Sequence, residues 1–456
     1  MAEALRKLHS PFANSPASSI QSPLSPNPYF GDKRQLRTYL LDGEYEKPWA
    51  KDKRAHRTRR GNYIIWAFVG LALVLSAGYN YAVASKVPQH EYCLVLDDRF
   101  SELDASTWNA EVQLNGYGNG AFDWTTIDDT NYFADSEGLH ITPTLTNETT
   151  PITNAQIYDG FTLDLLSNSS EYGPCTGTTE TECVVHSSRA DKVIIPPVRS
   201  ARINTKGKKS IRYGRVEVVA RLPRGDWLWP AIWMMPLNNT YGPWPASGEI
   251  DILESRGNGV GYPPGGRNTM SSTLHWGPTE SLNAYWKTTG GSSTMRGDYS
   301  DGFHTFGLVW SADEIYSYVD NPLQRAMTTK FPDNRNMWER GHFAGEAVNS
   351  SFVTNPWSQT GRSNTPFDQP FYLILNVAVG ATNGYFRDEA GDKPWVDHGP
   401  AAFQFYQGQW IDEPVDPTDA AAGIDQWYPT WPSGSQLAHR GMTVKSVKMW
   451  QQGACT

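Results

Sequence analysis

Two kinds of hydrophobic pattern divide this chain. From Tyr63 the sequence runs Tyr-Ile-Ile-Trp-Ala-Phe-Val-Gly-Leu-Ala-Leu-Val-Leu-Ser-Ala-Gly and continues to Ala84, with no charge between Arg60 and Lys86. About 20 apolar residues in helical form cross the hydrocarbon layer of a bilayer, so 61–84 reads as a transmembrane segment with aromatic residues near both ends. Beyond it the pattern changes. Arg215–Leu222 alternates polar and apolar residues, as a strand with one buried face does. Glu314–Asp320 is a second such segment, Phe371–Val379 is almost continuously apolar and reads as a central strand, and Thr443–Trp450 reads as a closing strand. Loops rich in Gly, Pro and Asn, Gly257–Arg267 and Asn321–Gln369, separate them, and no long 3.6-residue period follows the apolar segment. Two packed antiparallel sheets satisfy that pattern.

The most informative stretch is Gly248-Glu249-Ile250-Asp251-Ile252-Leu253-Glu254, three carboxylates within six residues of an apolar strand. Glu249 and Asp251 share a face by the two-residue period, whereas Glu254, five positions from Glu249, falls on the other. A β-bulge at Ile252-Leu253 absorbs one residue and aligns all three acids. Carboxylates in a core are costly. Along a cleft, one protonated and one ionised carboxyl group are what glycosidic cleavage needs. Aromatic residues surround the motif: Trp227, Trp229 and Trp233 upstream, Trp244 just before it, and Leu274-His275-Trp276 after it. Indole faces cover the apolar faces of sugar rings.

These segments resemble glycoside hydrolase family 16, in its laminarinase branch, which acts on β-1,3-glucans. The resemblance rests on Tyr213-Gly214-Arg215-Val216-Glu217, Leu228-Trp229-Pro230-Ala231-Ile232-Trp233-Met234, Trp244 to Glu254, Thr273-Leu274-His275-Trp276, Phe303 to Trp310, Trp338-Glu339-Arg340-Gly341 and Pro366 to Gly380, in that order, between about Leu94 and Trp450. The same order is similar to β-1,3-glucan recognition proteins, some of which have lost the catalytic acids. The resemblance implies an all-β, concanavalin A-like jelly-roll sandwich with substrate across one sheet. It also implies retention of configuration, with Glu249 as nucleophile, Glu254 as general acid/base and Asp251 bonded to the nucleophile. Trp229, Trp233 and His275 match positions near the substrate, and Arg215, Asn376 and Asn119 are candidate polar contacts. The family carries a Glu two positions after a Gly-Asn pair; here Gly118-Asn119 is followed by Gly120 and Ala121, so that acid is missing. The expected partner is β-1,3-glucan or mixed-linkage β-glucan. No cofactor or metal is expected; some members hold a structural calcium, for which the sequence identifies no ligands. The expected activity is an endo-β-glucanase, with a transglycosylase or a non-catalytic glucan-binding protein as alternatives.

Charge and cysteine usage complete the organisation. The formal net charge of −9 argues against a nucleic-acid partner. Lys51, Lys53, Arg54, Arg57, Arg59 and Arg60, opposed by Asp52 alone, precede the apolar segment. By the positive-inside rule they place the N-terminus in the cytoplasm and the C-terminal part in the lumen or outside the cell, a type II arrangement. A cleaved signal peptide is the competing reading, but signals start near residue 1. Ser-Pro pairs punctuate the first 50 residues, which read as a disordered tail. The expected division is a cytoplasmic tail 1–60, an anchor 61–84 and a catalytic domain 85–456. Sequons at Asn147, Asn168, Asn238 and Asn349 all follow the anchor. Of three pairings among four cysteines, Cys93–Cys455 with Cys175–Cys183 is preferred in an oxidising compartment.

Overall fold

The computed structural model describes residues 43–44, 46–85, 90–167, 172–408 and 423–455. The expected disordered tail lies almost wholly outside these residues, as does the sequon at Asn168. The chain forms two compact units, residues 1–88 and 89–456.

In the first unit, helix α1 spans Lys53–Ala84. It starts eight residues before the expected anchor, because Asp52 caps it: the Asp52 side chain accepts a hydrogen bond from the Arg54 amide. The basic cluster from Lys53 onward is therefore helical rather than part of the tail. None of the helix is buried, and it is long and apolar enough to cross a membrane.

The second unit is a sandwich of two antiparallel sheets. The strands that position the site are β1 (Asn109–Glu111), β2 (Arg202–Asn204), β3 (Leu228–Pro236), β4 (Glu249–Ser255), β5 (Thr269–His275), β6 (Thr289–Ser293) and β7 (Phe371–Val379), in the spatial order β6-β5-β4-β3-β7-β2-β1. The facing sheet runs through Arg325–Lys330, Glu314–Val319, His304–Trp310, Gly214–Arg221, Met442–Gln452, Gly138–Ile141 and Tyr132–Asp135, with Tyr92–Asp98 also paired to Met442–Gln452. Alternation sorts side chains between core and surface. In Gly214–Arg221 every second residue, Val216, Val218 and Ala220, is fully buried. In β3 and β7 the core face carries Leu228, Ile232 and Met234, and Leu373, Leu375 and Val377. Trp310 of one sheet meets Phe371 of the other edge to face at 5.4 Å.

The loop expected over Asn321–Gln369 contains the strand Arg325–Lys330 and a short helix, Met337–Gly341. The strand lies at a sheet edge and buries only Ala326, Met327 and Thr329, so its sequence shows little apolar alternation. The Cys93–Cys455 and Cys175–Cys183 disulfides are both formed. The first ties the opening strand of the sandwich to the chain beyond its closing strand.

Candidate active site

Strand β4 pairs with β3 on one side and β5 on the other, and its register slips on both. Asp251 lies opposite Trp233 and Thr273, but Glu254 lies opposite Ala231 and Ser271, so one more residue separates the acids on β4 than on either neighbour. The bulge sits at Ile252-Leu253, and both of its residues are fully buried. Glu249, Asp251 and Glu254 thereby share the face turned away from the core. A regular strand would send Glu254 into the core.

Aromatic N–H groups aim the two glutamates. Trp244 Nε1 donates to Glu249 Oε2 at 2.8 Å, and Trp229 Nε1 donates to Glu254 Oε1 at 3.1 Å. Between them Asp251 is 2% exposed, with His275 Nε2 3.1 Å from its Oδ2 and 3.9 Å from Glu249 Oε1. Ligand atoms of Glu249, Asp251 and His275 all lie within 4.8 Å of one another. Burial raises the Asp251 pKa well above the usual carboxyl range, and the charge of Glu249 adds to it. Burial, with Asp251 second, pushes Glu254 up to about 8. Near neutral pH Glu254 therefore retains its proton, and burial favours the neutral form of Asp251 beside it.

The structure revises several expected contacts. Arg215 is not at this site. It belongs to the facing sheet, on a strand whose alternation turns it outward, where it pairs with Glu217 and lies 5.1 Å over the Trp450 ring. The arginine on the acids' sheet is Arg202, opposite Asn376; its guanidinium is 2.6 Å from Glu111 and 4.8 Å over the Trp233 ring. Asn376 stands opposite Ala231 and accepts from Trp233 Nε1 at 2.8 Å, so both are on the acids' face. Trp229, a candidate substrate contact, is only 7% exposed; it stacks on Tyr385 at 4.0 Å and holds Glu254 through its Nε1–H. Asn119 lies beside the loop that follows β7, accepting from Asn383 at 3.1 Å and from the Thr382 amide. His275 stands directly opposite Glu249 and stacks on Tyr285 at 5.3 Å.

Sequence reasoning placed Trp244 beside the acids without giving it a contact, and missed Tyr385, Asn283 and Arg202. Trp244, 37% exposed, was within reach, since it opens the acid motif itself. Tyr385 and Arg202 come from distant segments and Asn283 from the loop eight residues beyond His275, and none of them carried a local signal.

Comparisons with known proteins identify the family. Residues 174–360 match the model of "Glycosyl hydrolases family 16". The chain is 38% identical over 393 residues to a "Beta-1,3-glucan-binding protein" of Penaeus monodon, covering 84% of this chain and 98% of that one. It is 36% identical over 211 residues to a "Glucan endo-1,3-beta-glucosidase A1" of Niallia circulans, covering 45% of this chain and 25% of that one. Among solved structures, the laminarinase from Rhodothermus marinus aligns over 80% of this chain and all of its own, with a TM-score of 0.45 and 23% identity. Glucanases of this family need no cofactor. The chain belongs to glycosyl hydrolase family 16.

Proposed function

We propose that this protein is an endo-β-glucanase that cleaves β-1,3-glucan with retention of configuration, Glu249 acting as nucleophile and Glu254 as general acid/base. The observation that carries this reading is the bulge: it places both glutamates on one face of one strand, with Glu254 still protonated near neutral pH. Glu254 gives its proton to the departing glycosidic oxygen while Glu249, aimed by Trp244, attacks the anomeric carbon. Once Glu249 is esterified its charge is gone, which lowers the affinity of Glu254 for a proton and suits it to deprotonate the incoming water. Asp251, whose neutral form burial favours, stabilises Glu249 through their shared hydrogen bond as it leaves the sugar in the second step. Retaining chemistry needs carboxyl groups about 5–5.5 Å apart.

The test is to incubate the purified full-length chain with laminarin, with Glu249→Gln as control, and to follow the first-formed anomer by NMR. Release of the β-anomer by the wild type alone supports the reading. Binding without release favours a second reading, glucan recognition without turnover. The specific observation behind that reading is the extensive identity to a protein named for glucan binding.

We further infer a single-pass type II membrane protein with residues 85–456 in the lumen or outside the cell. Support comes from the unburied apolar helix, the basic residues at its start and two disulfides beyond it. Microsomes containing the chain should resist alkaline extraction and protect this portion from added protease; loss of both in intact vesicles would defeat the inference.

A further inference from the structure

Two carboxylates and an imidazole within 4.8 Å of one another form the donor set that holds Zn²⁺ or a similar divalent ion in many proteins. Asp251 Oδ2 is buried and receives no aligned hydrogen bond. Whether this set binds a metal depends on the lone pair of His275 Nε2, the ring nitrogen that faces the acids.

The other ring nitrogen settles that question. His275 Nδ1 is 2.8 Å from Nδ2 of Asn283. An amide nitrogen only donates, so Nδ1 accepts, and a neutral ring must carry its proton on Nε2. Asn283 is fixed in that orientation, because its Oδ1 accepts the backbone N–H groups of Trp276 at 3.2 Å and Tyr285 at 3.3 Å. Turning the amide over would set two donors against donors.

We propose that Asn283 is a positioning residue that locks His275 in the Nε2–H tautomer, so that the side of the ring turned toward Asp251 carries a hydrogen in place of a lone pair and the centre rejects divalent metal ions. Metal sites use the opposite arrangement, in which a carboxylate or carbonyl accepts Nδ1–H and leaves Nε2 free to coordinate. Asn283→Asp supplies that acceptor. One oxygen of the new carboxylate keeps the two backbone bonds, the other takes Nδ1–H, and the Nε2 lone pair turns toward the acids. The role of this donor depends on the acids being the reactive groups proposed above; the tautomer and the metal affinity do not.

Two measurements on the full-length chain test this, and neither uses turnover, so their outcome is independent of the glucanase reading. In ¹⁵N spectra of the histidine side chains, with His275 identified by its loss in His275→Gln and the ring neutral, the proton is expected on Nε2. A proton on Nδ1 overturns the proposal, and this measurement on the wild type stands even if the variant fails to fold. In calorimetric titration with Zn²⁺, Asn283→Asp is expected to bind about 10–100-fold more tightly than the wild type. Equal affinity in the two proteins overturns the proposal.

Discussion

Burial and Asp251 together push Glu254 from the ordinary glutamate value near 4.5 up to about 8, and that shift has a consequence for the fold as well as for catalysis. Between those two pH values the folded state holds a proton that the unfolded state has released, so stability from this group falls as pH rises from about 4.5 to about 8. At pH 7 the penalty is on the order of 3 kcal/mol, which is also what Glu254→Gln should recover. The variant is expected to melt above the wild type at pH 7 while losing about 10²–10⁴-fold in activity, and the melting difference should vanish below pH 4.5. Equal melting at pH 7 would show that Glu254 is not held protonated by the fold. Trp229 makes a finer prediction, because its Nε1–H favours the ionised form of Glu254. Trp229→Phe should move the basic limb of the kcat/KM profile to higher pH, as read from laminarin hydrolysis across a pH series. An unmoved limb would mean that the indole does not tune the acid.

At the scale of the element, the bulge in β4 is the device on which the site depends. Deleting Ile252 removes the extra residue and restores plain alternation, which leaves Glu249, Asp251 and Glu254 still on one face. That variant should fold, at a cost of about 2–5 kcal/mol for a fully buried side chain. Deleting Ile252 and Leu253 together brings Glu254 to an odd spacing and turns it into the core, where an unpaired carboxylate is not tolerated. Circular dichroism melts should show a cooperative transition for the single deletion and none for the double; equal behaviour would refute the assigned register. The bulge itself was legible in the sequence, since three acids in an apolar strand have no other arrangement that avoids burying one. Arg215 shows the limit of such reading. Alternation along Arg215–Leu222 predicted a half-buried strand, which forms over Gly214–Arg221, but alternation does not say which of two sheets a strand joins.

At the scale of the whole molecule, the two disulfides enclose very different lengths of chain, 362 and 8 residues apart. Restricting the unfolded chain stabilises more for a longer loop, so replacing Cys93 and Cys455 by Ser should cost about 2–4 kcal/mol and more than replacing Cys175 and Cys183. Denaturant midpoints of the two double variants provide the measurement, and the reverse order would contradict the loop-length argument. The sequence by itself determined the order of units, the all-β class, the apolar helix and the three acids, because each is written in local periodicity or in a short motif. Only the tertiary structure decided that Arg202 rather than Arg215 joins the site, that Tyr385 covers Trp229, and that Asn283 reaches His275. Those contacts depend on which strands become neighbours and where loops return, and such long-range pairing leaves no trace in the spacing of nearby residues.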